Sequence, residues 1–345
     1  MANSNPSIGE QQQHVYESLS RYLQEHENEV VEIEILPPAI QPPDGILMQD
    51  GSSLGVQKKV LVMAFLAARQ TFFENKSNSQ VDPKALQATK IMLLFDPEHV
   101  TAANFRKRRL LALRDAGELL EFQKGLHTEL CFLDSILTSP LHRQTKSPTL
   151  WYHRSWLLRL IAPLESKSAS GKRIATIISA AFDSISKSGD RHPGNYYAWQ
   201  YARRLVLTLV RVAAEVDAPF PSDWVVSAFT DKVCAWCFKH PSDISGWSFL
   251  LFLLERLDPI EERDAIVDKV LQYANRIRSE NESLWVFVRN ALARPALLED
   301  DGALLQKLQN SVDDSGTAEP ESAYSQHIEH SLLWIATGGK WKTLP

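Results

Sequence analysis

Four short stretches of this chain hold residue types that do chemistry in other proteins. "CAWCFKH" places Cys234, Cys237 and His240 at steps of three, nominally near one face of a helix, as a metal site or a redox pair would require. A redox motif of this kind follows a strand and a zinc site needs a fourth ligand from afar. The sequence offers neither, so buried structural cysteines are the default. "SGKR", residues 170–173, has the lysine of a phosphate loop but lacks its first glycine, and Arg173 stands where a Ser or Thr would hold magnesium. A helix start accounts for it. "RKRR", residues 106–109, with Arg114 beyond, is the strongest basic cluster. RNA binding and a nuclear signal are alternatives for it, but no aromatic stacking platform accompanies it, and a charged groove for an acidic partner surface is the expectation. The fourth stretch, "SPTLWYHRSWLL", brings Trp151, His153 and Arg154 within four residues and poses a choice between a catalytic cluster and a structural repeat.

Composition bounds what these residues can belong to. With 345 residues, 44% hydrophobic and 23% charged, the chain can bury one large core or two ordinary ones. A formal net charge of −5 gives no global attraction to nucleic acid or to anionic membranes, so no nucleic-acid partner is expected. Three cysteines cannot all pair, which points to a reducing compartment. The N-terminus "MANSNPSIGEQQQ" lacks an apolar signal core, Ala2 excludes a myristoylation pattern, and no run of about 18 apolar residues occurs. A cytoplasmic chain with no integral membrane segment is expected.

Periodicity then supplies the elements. Residues 1–55 form an N-terminal extension with a helix near 11–27 and a short strand in "VVEIEIL", where Val31, Ile33 and Ile35 alternate. Residues 56–73 are apolar over more than half the circumference of a helix, as a buried capping helix requires. From 83 to 294 two kinds of helix alternate, broken nearly every time at proline. Residues 295–345 hold one further helix, near 296–308, a polar gap at 311–322, and a short apolar tail that docks loosely or serves an interface.

Tryptophan spacing decides the choice. Trp151, Trp199 and Trp247 lie 48 residues apart, the same step back from Trp151 reaches Ala103, and a shorter step of 38 leads on to Trp285. Self-similarity at a fixed period is the mark of a repeat. Each position opens an amphipathic run after a turn, and each run follows a helix of its own, near 84–95, 118–137, 171–187, 224–238 and 260–277. The unit is a helical hairpin, which cannot bury its apolar face alone and so stacks on its neighbours. Trp151 and Trp199 belong in the seam, with Arg154 one helical turn on from Trp151, its stem covering the indole. His153 is a seam or surface residue on this reading.

"LWYHRSWLL" and "NYYAWQYARRLV" resemble the repeats of protein prenyltransferase α subunits, roughly Asn-Tyr-x-x-Trp-x-x-Arg, over about residues 83–294. The second repeat keeps Trp151, His153 and Arg154, and the third keeps Asn195, Tyr196, Ala198 and Trp199. Ala103 replaces the first tryptophan while Arg106 stays, Ala202 takes the third arginine position with Arg203 one further on, and Leu250 takes the fourth. The long step makes the chain most similar to the branch called prenyltransferase α-subunit repeat-containing proteins. The resemblance implies an all-α fold, a right-handed α-α superhelix (solenoid) of about five hairpins. It implies a noncatalytic α partner of a catalytic β subunit, which carries the zinc and most of the isoprenoid pocket, and a protein substrate such as a small GTPase that receives farnesyl or geranylgeranyl on cysteine. The family's diphosphate-facing lysine, five positions before the tryptophan, falls on Lys146, although Ser147 and Pro148 replace the Asn-Tyr pair after it. The corresponding tyrosine, three before the tryptophan, falls on Tyr196. A helical-repeat adaptor without isoprenoid chemistry is the other reading.

Overall fold

The computed structural model describes residues 7–76, 82–166, 172–215, 222–315 and 322–339. Helix α1 (Ile8–Glu25) starts on a reciprocal cap, in which Ser7 Oγ accepts from the Glu10 backbone N–H and the Glu10 carboxylate accepts from that of Ser7. Three strands follow: β1 (Glu32–Leu36), β2 (Leu47–Asp50) and β3 (Ser53–Gln57), in the order β1-β3-β2. β3 is parallel to β1 and antiparallel to β2. The sequence reading expects only the first strand. Four-residue "LMQD" has little alternation of its own, and the hairpin signal is the turn at Asp50-Gly51, where Gly51 takes φ 55.

The rest is helical, and the fold class is all-α. Helix α2 (Lys58–Asn75) covers α3 (Pro83–Phe95), which Asp82 caps and which pairs with α4 (Val100–Asp115). α5 (Leu119–Leu137) is joined through the single turn α6 (His142–Thr145) to α7 (Pro148–Ser166). Then come α8 (Lys172–Arg191) and α9 (Tyr196–Glu215), α10 (Ser222–Lys239) and α11 (Ile244–Leu254), and α12 (Ile260–Arg276) and α13 (Glu282–Leu292). The expected hairpins of residues 83–294 are thus present with boundaries within a few residues.

A further pair extends them. α14 (Asp301–Ser315) continues into the stretch expected to be a polar gap, and α15 (Ala323–Ala336) packs on α13 and α14 rather than docking loosely. Tyr324 donates to Asn275 Oδ1 at 3.1 Å and Ile328 is fully buried. The anchoring stripe of α15 is only Tyr324, Ser325, Ile328 and Ser331, two of them small and polar.

The chain divides into two compact units, Met1–Ile161 with Ser184–Tyr201, and Ala162–Asp183 with Ala202–Pro345. In the first, the N-terminal segment is fastened across the opening helices of three hairpins. Lys90 on α3 donates to the Leu23 carbonyl at the end of α1, Ser135 on α5 accepts from the Val31 N–H, and Lys187 on α8 pairs with Glu32. Burial, then the charge of Arg106, lowers the Lys90 pKa to about 8. In the second unit Gly246 permits the close approach of α11 to α10, since a Cβ there would lie 2.6 Å from the Trp236 ring.

Candidate functional site

Each second helix opens on one local frame. Four residues before the tryptophan, or before Ala103, stands the N-cap: His99, Ser147, Asn195, Asp243 and Asn281. His99 Nδ1 accepts from Ala102 N–H, Ser147 Oγ from Leu150, Asn195 Oδ1 from Ala198, and Asp243 Oδ1 from Ser245 and Gly246. Such caps satisfy first-turn N–H groups that no helical carbonyl reaches. The indole N–H then folds back to the carbonyl six residues earlier, Trp151 to Thr145 at 2.8 Å, Trp247 to Pro241 at 2.9 Å and Trp285 to Ser279 at 2.7 Å. Trp151, Trp199, Trp247 and Trp285 are all buried. The cap was legible as the cap-forming residues Ser147, Asn195 and Asp243 at the same 48-residue step, a signal that reasoning from the tryptophans passes over.

Between the helices of the first unit lie two arginine–carboxylate pairs that share α5. Arg106 bonds Glu129 through Nε at 2.8 Å and Nη2 at 2.6 Å, and also reaches Thr89. Arg154 bonds Asp134 at 2.6 and 3.0 Å and donates to Ser184 and to the Tyr201 hydroxyl, whose ring its guanidinium covers. Both arginines are buried, and planar two-pronged contact suits the guanidinium. Burial alone would lower the Arg154 pKa, yet the charge of Asp134 holds it above its usual value. Burial likewise opposes ionisation of Glu129, and Arg106 keeps it below the ordinary carboxylate range. His153, fully buried, sits with Nε2 3.5 Å from Glu129 without a hydrogen bond, and burial lowers its pKa to about 3. It is a neutral seam residue. Ala202 is buried, whereas Arg203 turns to Ser248 and the rings of Phe249 and Phe252, so Arg203 does not replace the motif arginine.

Lys146 and Tyr196 stand at the edge where second helices begin. Lys146 follows α6, and its Nζ donates to the Pro193 carbonyl at 3.3 Å, across to the turn that leads into α9. Tyr196 is the first residue of α9 and 57% exposed. The position after Lys146 differs from the family pattern in kind: Ser147 is buried, caps α7, and donates to Glu98 and to the Pro97 carbonyl.

The remaining motifs resolve differently. Cys234 and Cys237 are buried on α10, burial pushes the Cys234 thiol up to about 11 and Cys237 well above its usual value, and His240 stacks on Trp236 with centroids 4.1 Å apart. No group of three His, Cys, Asp or Glu among the described residues is placed to hold a metal ion. "SGKR" lies partly outside the described residues. The basic cluster is not one surface, because Arg106 is in the core. The expected lack of aromatic company is corrected as well, since Lys107 Nζ lies 5.3 Å over the Tyr152 ring and 5.8 Å from that of Trp156. Those rings come from α7, one repeat away in sequence. A cavity beside Lys90, Glu27 and His26 holds about 10 Å³, room for one water.

Paired helices whose second members start on a shared cap and carry a seam tryptophan define a helical-repeat scaffold. The ECM9 middle domain family matches residues 150–281. The chain is 27% identical over 205 residues to the geranylgeranyl transferase type-2 subunit alpha of Bos taurus, covering 59% of this chain and 31% of that protein. It is 26% identical over 205 residues to the human protein prenyltransferase alpha subunit repeat-containing protein 1, covering 56% and 44%. To the Xenopus laevis protein 1-A of that name it is 25% identical over 264 residues, covering 72% and 56%. The matches therefore span about a third to just over half the length of these relatives. The chain is thus similar, at 25–27% identity, to proteins named for prenyltransferase α subunits and their repeats. No helix among the described residues is long and apolar enough to cross a membrane.

Proposed function

We propose that this chain is the α-type scaffold subunit of a heterodimeric protein prenyltransferase. It holds a catalytic β subunit, which carries zinc, while that subunit transfers farnesyl or geranylgeranyl to a cysteine of a protein such as a small GTPase. The observation that carries the reading is the meeting of Lys146 with the turn before Tyr196, at the start of two successive second helices that keep the repeat frame. In the transfer, the substrate sulfur forms a C–S bond as the isoprenoid C–O bond breaks and diphosphate leaves. An ammonium and a phenol at that edge stabilise the charge that develops on the leaving oxygens. The chain supplies those groups and a frame, and the thiolate activation belongs to its partner.

One observation favours the second reading, a helical-repeat adaptor without prenyl transfer: Ser147 and Pro148 stand where the family pattern has Asn-Tyr, and Ser147 is committed to Glu98. The two readings part on one experiment. The chain is purified from its native cells, its stoichiometric partner is identified by mass spectrometry, and both are expressed together and assayed with labelled isoprenoid diphosphate and a cysteine-bearing acceptor. Zinc-dependent transfer by the pair and none by the chain alone is the expected result. A stoichiometric partner of another class, with no transfer, leaves the adaptor.

A further inference from the structure

Helix α2 carries more apolar surface than the fold buries. Its inner side packs on α1 and α3 through Val60, Leu61, Ala64, Ala67, Ala68 and Phe72. On the outer side Leu66 is 44% and Phe73 42% exposed, and Val62, one turn before Leu66, is partly buried. These three share a stripe with Lys59, Arg69 and Lys76, at positions 59, 62, 66, 69, 73 and 76. Alternating steps of three and four are the heptad spacing of a seam between two helices, sustained here along the length of α2.

The charge along that stripe is of one sign. Lys58 and Lys59 occupy the first turn of α2, which holds no acidic residue and whose N-cap, Gln57, makes no side-chain bond, although a helix N-terminus favours anions. Arg69 and Lys76 both lie over the Phe73 ring, the guanidinium carbon 5.4 Å and Nζ 4.2 Å from its centroid. None of these four cations is in an ion pair among the described residues. Glu74, the one carboxylate of α2, follows Phe73 about 100° round the helix and accepts from Gln70. Of the elements packed on α2, α3 and β3 have no acidic residue. On α1, Glu10 caps its own helix, Glu17 accepts from Gln13, and Glu25 is the last helical residue.

We propose that the outer face of α2 docks an acidic amphipathic helix of a partner protein, with apolar side chains against Val62, Leu66 and Phe73 and carboxylates against Lys59, Arg69 and Lys76. Apolar burial supplies the affinity, while the carboxylates set the register and discriminate against basic helices. The two cations over Phe73 become donors of charge-assisted bonds at one end of the seam. A second copy of the chain suits this face poorly, since in register it would set Lys59 against Lys59 or Lys76. A bilayer surface calls for a broad apolar face, whereas this stripe is one residue wide. The face belongs to α2, ahead of the repeat hairpins, so the proposal does not rest on the prenyltransferase reading.

The probe is a synthetic helix of about three heptads, with Leu opposite the three apolar residues and Glu opposite the three cations, beside a counterpart with Lys for each of those Glu. Binding of each to the full-length chain is followed by fluorescence anisotropy. The acidic helix should bind with micromolar affinity that weakens severalfold from roughly 50 to 300 mM salt, and the basic one should not bind. Leu66→Ala and Phe73→Ala, both at exposed positions, should each weaken binding about tenfold while thermal unfolding stays parent-like. The triple variant Lys59→Glu, Arg69→Glu, Lys76→Glu should exchange the preference, losing the acidic helix and gaining the basic one. Absence of binding, equal binding of the two helices, or parent-like affinity in Leu66→Ala and Phe73→Ala overturns the proposal. Vesicles of phosphatidylserine and the chain's own sedimentation supply the other occupants. Retention on vesicles, or self-association, that Phe73→Ala abolishes would give the face to a membrane or to a second copy and overturn it as well.

Discussion

The side-chain amide of Asn195 donates to the carbonyl of Thr145 at 3.0 Å, and the same oxygen accepts the Trp151 indole N–H at 2.8 Å. One carbonyl, with both lone pairs used, thus joins the tryptophan of one repeat to the cap of the next. Asn195 also donates to Ser188 Oγ at 2.7 Å, at the end of its own hairpin's first helix. All of these groups are buried, so each bond replaces water that cannot enter. The motif asparagine is therefore a fastening between successive hairpins as well as a cap, which explains why it sits four residues before the tryptophan rather than elsewhere on the turn.

Asn195→Ala should cost about 2 kcal/mol of stability, the combined loss of a cap and of buried hydrogen bonds. Asn195→Asp keeps an acceptor for the Ala198 N–H but has no N–H for Thr145, and it buries a charge. It should cost at least as much. Urea unfolding of the three proteins checks this, and an Asp variant as stable as the parent would show that the contact with Thr145 contributes nothing.

Arg154 and Asp134 form a buried, two-pronged pair, so removing either alone strands a charge. Asp134→Leu or Arg154→Met should each destabilise by roughly 3–5 kcal/mol, while the double variant should recover most of that loss. Arg154→Lys should fail to rescue, since one ammonium cannot reproduce the fork to Asp134 and the contact with Tyr201. Additive losses in the double variant would mean that the two residues act independently.

His153 gives the molecule a pH signature. Its folded pKa is about 3, well below the roughly 6.5 of an exposed histidine. Between those values the unfolded chain binds the extra proton, so stability is fully present above pH 6.5 and falls as pH drops through it. From pH 7 to 5 the loss should be about 2 kcal/mol. Glu129, held low by Arg106, adds a loss of the same sign only in more acid solution, whereas His192, whose pKa burial also lowers, adds one within the window. His153→Gln should make the dependence between pH 7 and 5 shallower, leaving the part due to His192, when thermal unfolding is followed across that range, and an unchanged slope would place the titrating group elsewhere.

How much of this was legible in the sequence varied with the range of the interaction. The hairpins and the seam tryptophans follow from periodicity and spacing, because each helix carries its own apolar stripe. Strands β2 and β3 were missed since their pairing with each other and with β1 stabilises them, and nothing local does. α15 is weak for the same reason: its stripe acquires meaning only against α13 and α14. The basic run at 106–109 shows the limit most clearly. Arg106 and Lys107 are adjacent in sequence, yet one enters the core to meet Glu129 and the other covers Tyr152 and Trp156, all on helices still to come in the chain. Lys146 and Tyr196 were reachable only through the family pattern, and neither would have been chosen from residue type alone.

Those two residues give the sharpest functional expectation. If Lys146 and Tyr196 face the diphosphate in the assembled enzyme, Lys146→Ala and Tyr196→Phe should each slow transfer without disturbing assembly. Loss of one donor to a developing oxyanion costs on the order of 3 kcal/mol, roughly a hundredfold in rate, and less where water reaches the site. Tyr196 is 57% exposed in this chain, so a full effect requires the partner subunit to cover it. Trp151→Ala is the contrasting variant. Its indole is buried and bonded to Thr145, and its removal should cost about 3–5 kcal/mol of folding stability and impair assembly rather than chemistry. Single-turnover rates at saturating isoprenoid diphosphate, measured beside the yield of heterodimer, separate the two kinds of effect. Parent-like rates for both polar variants would leave Lys146 as a tie to the Pro193 turn and Tyr196 as the opening residue of α9, with the chain's contribution reduced to holding its partner.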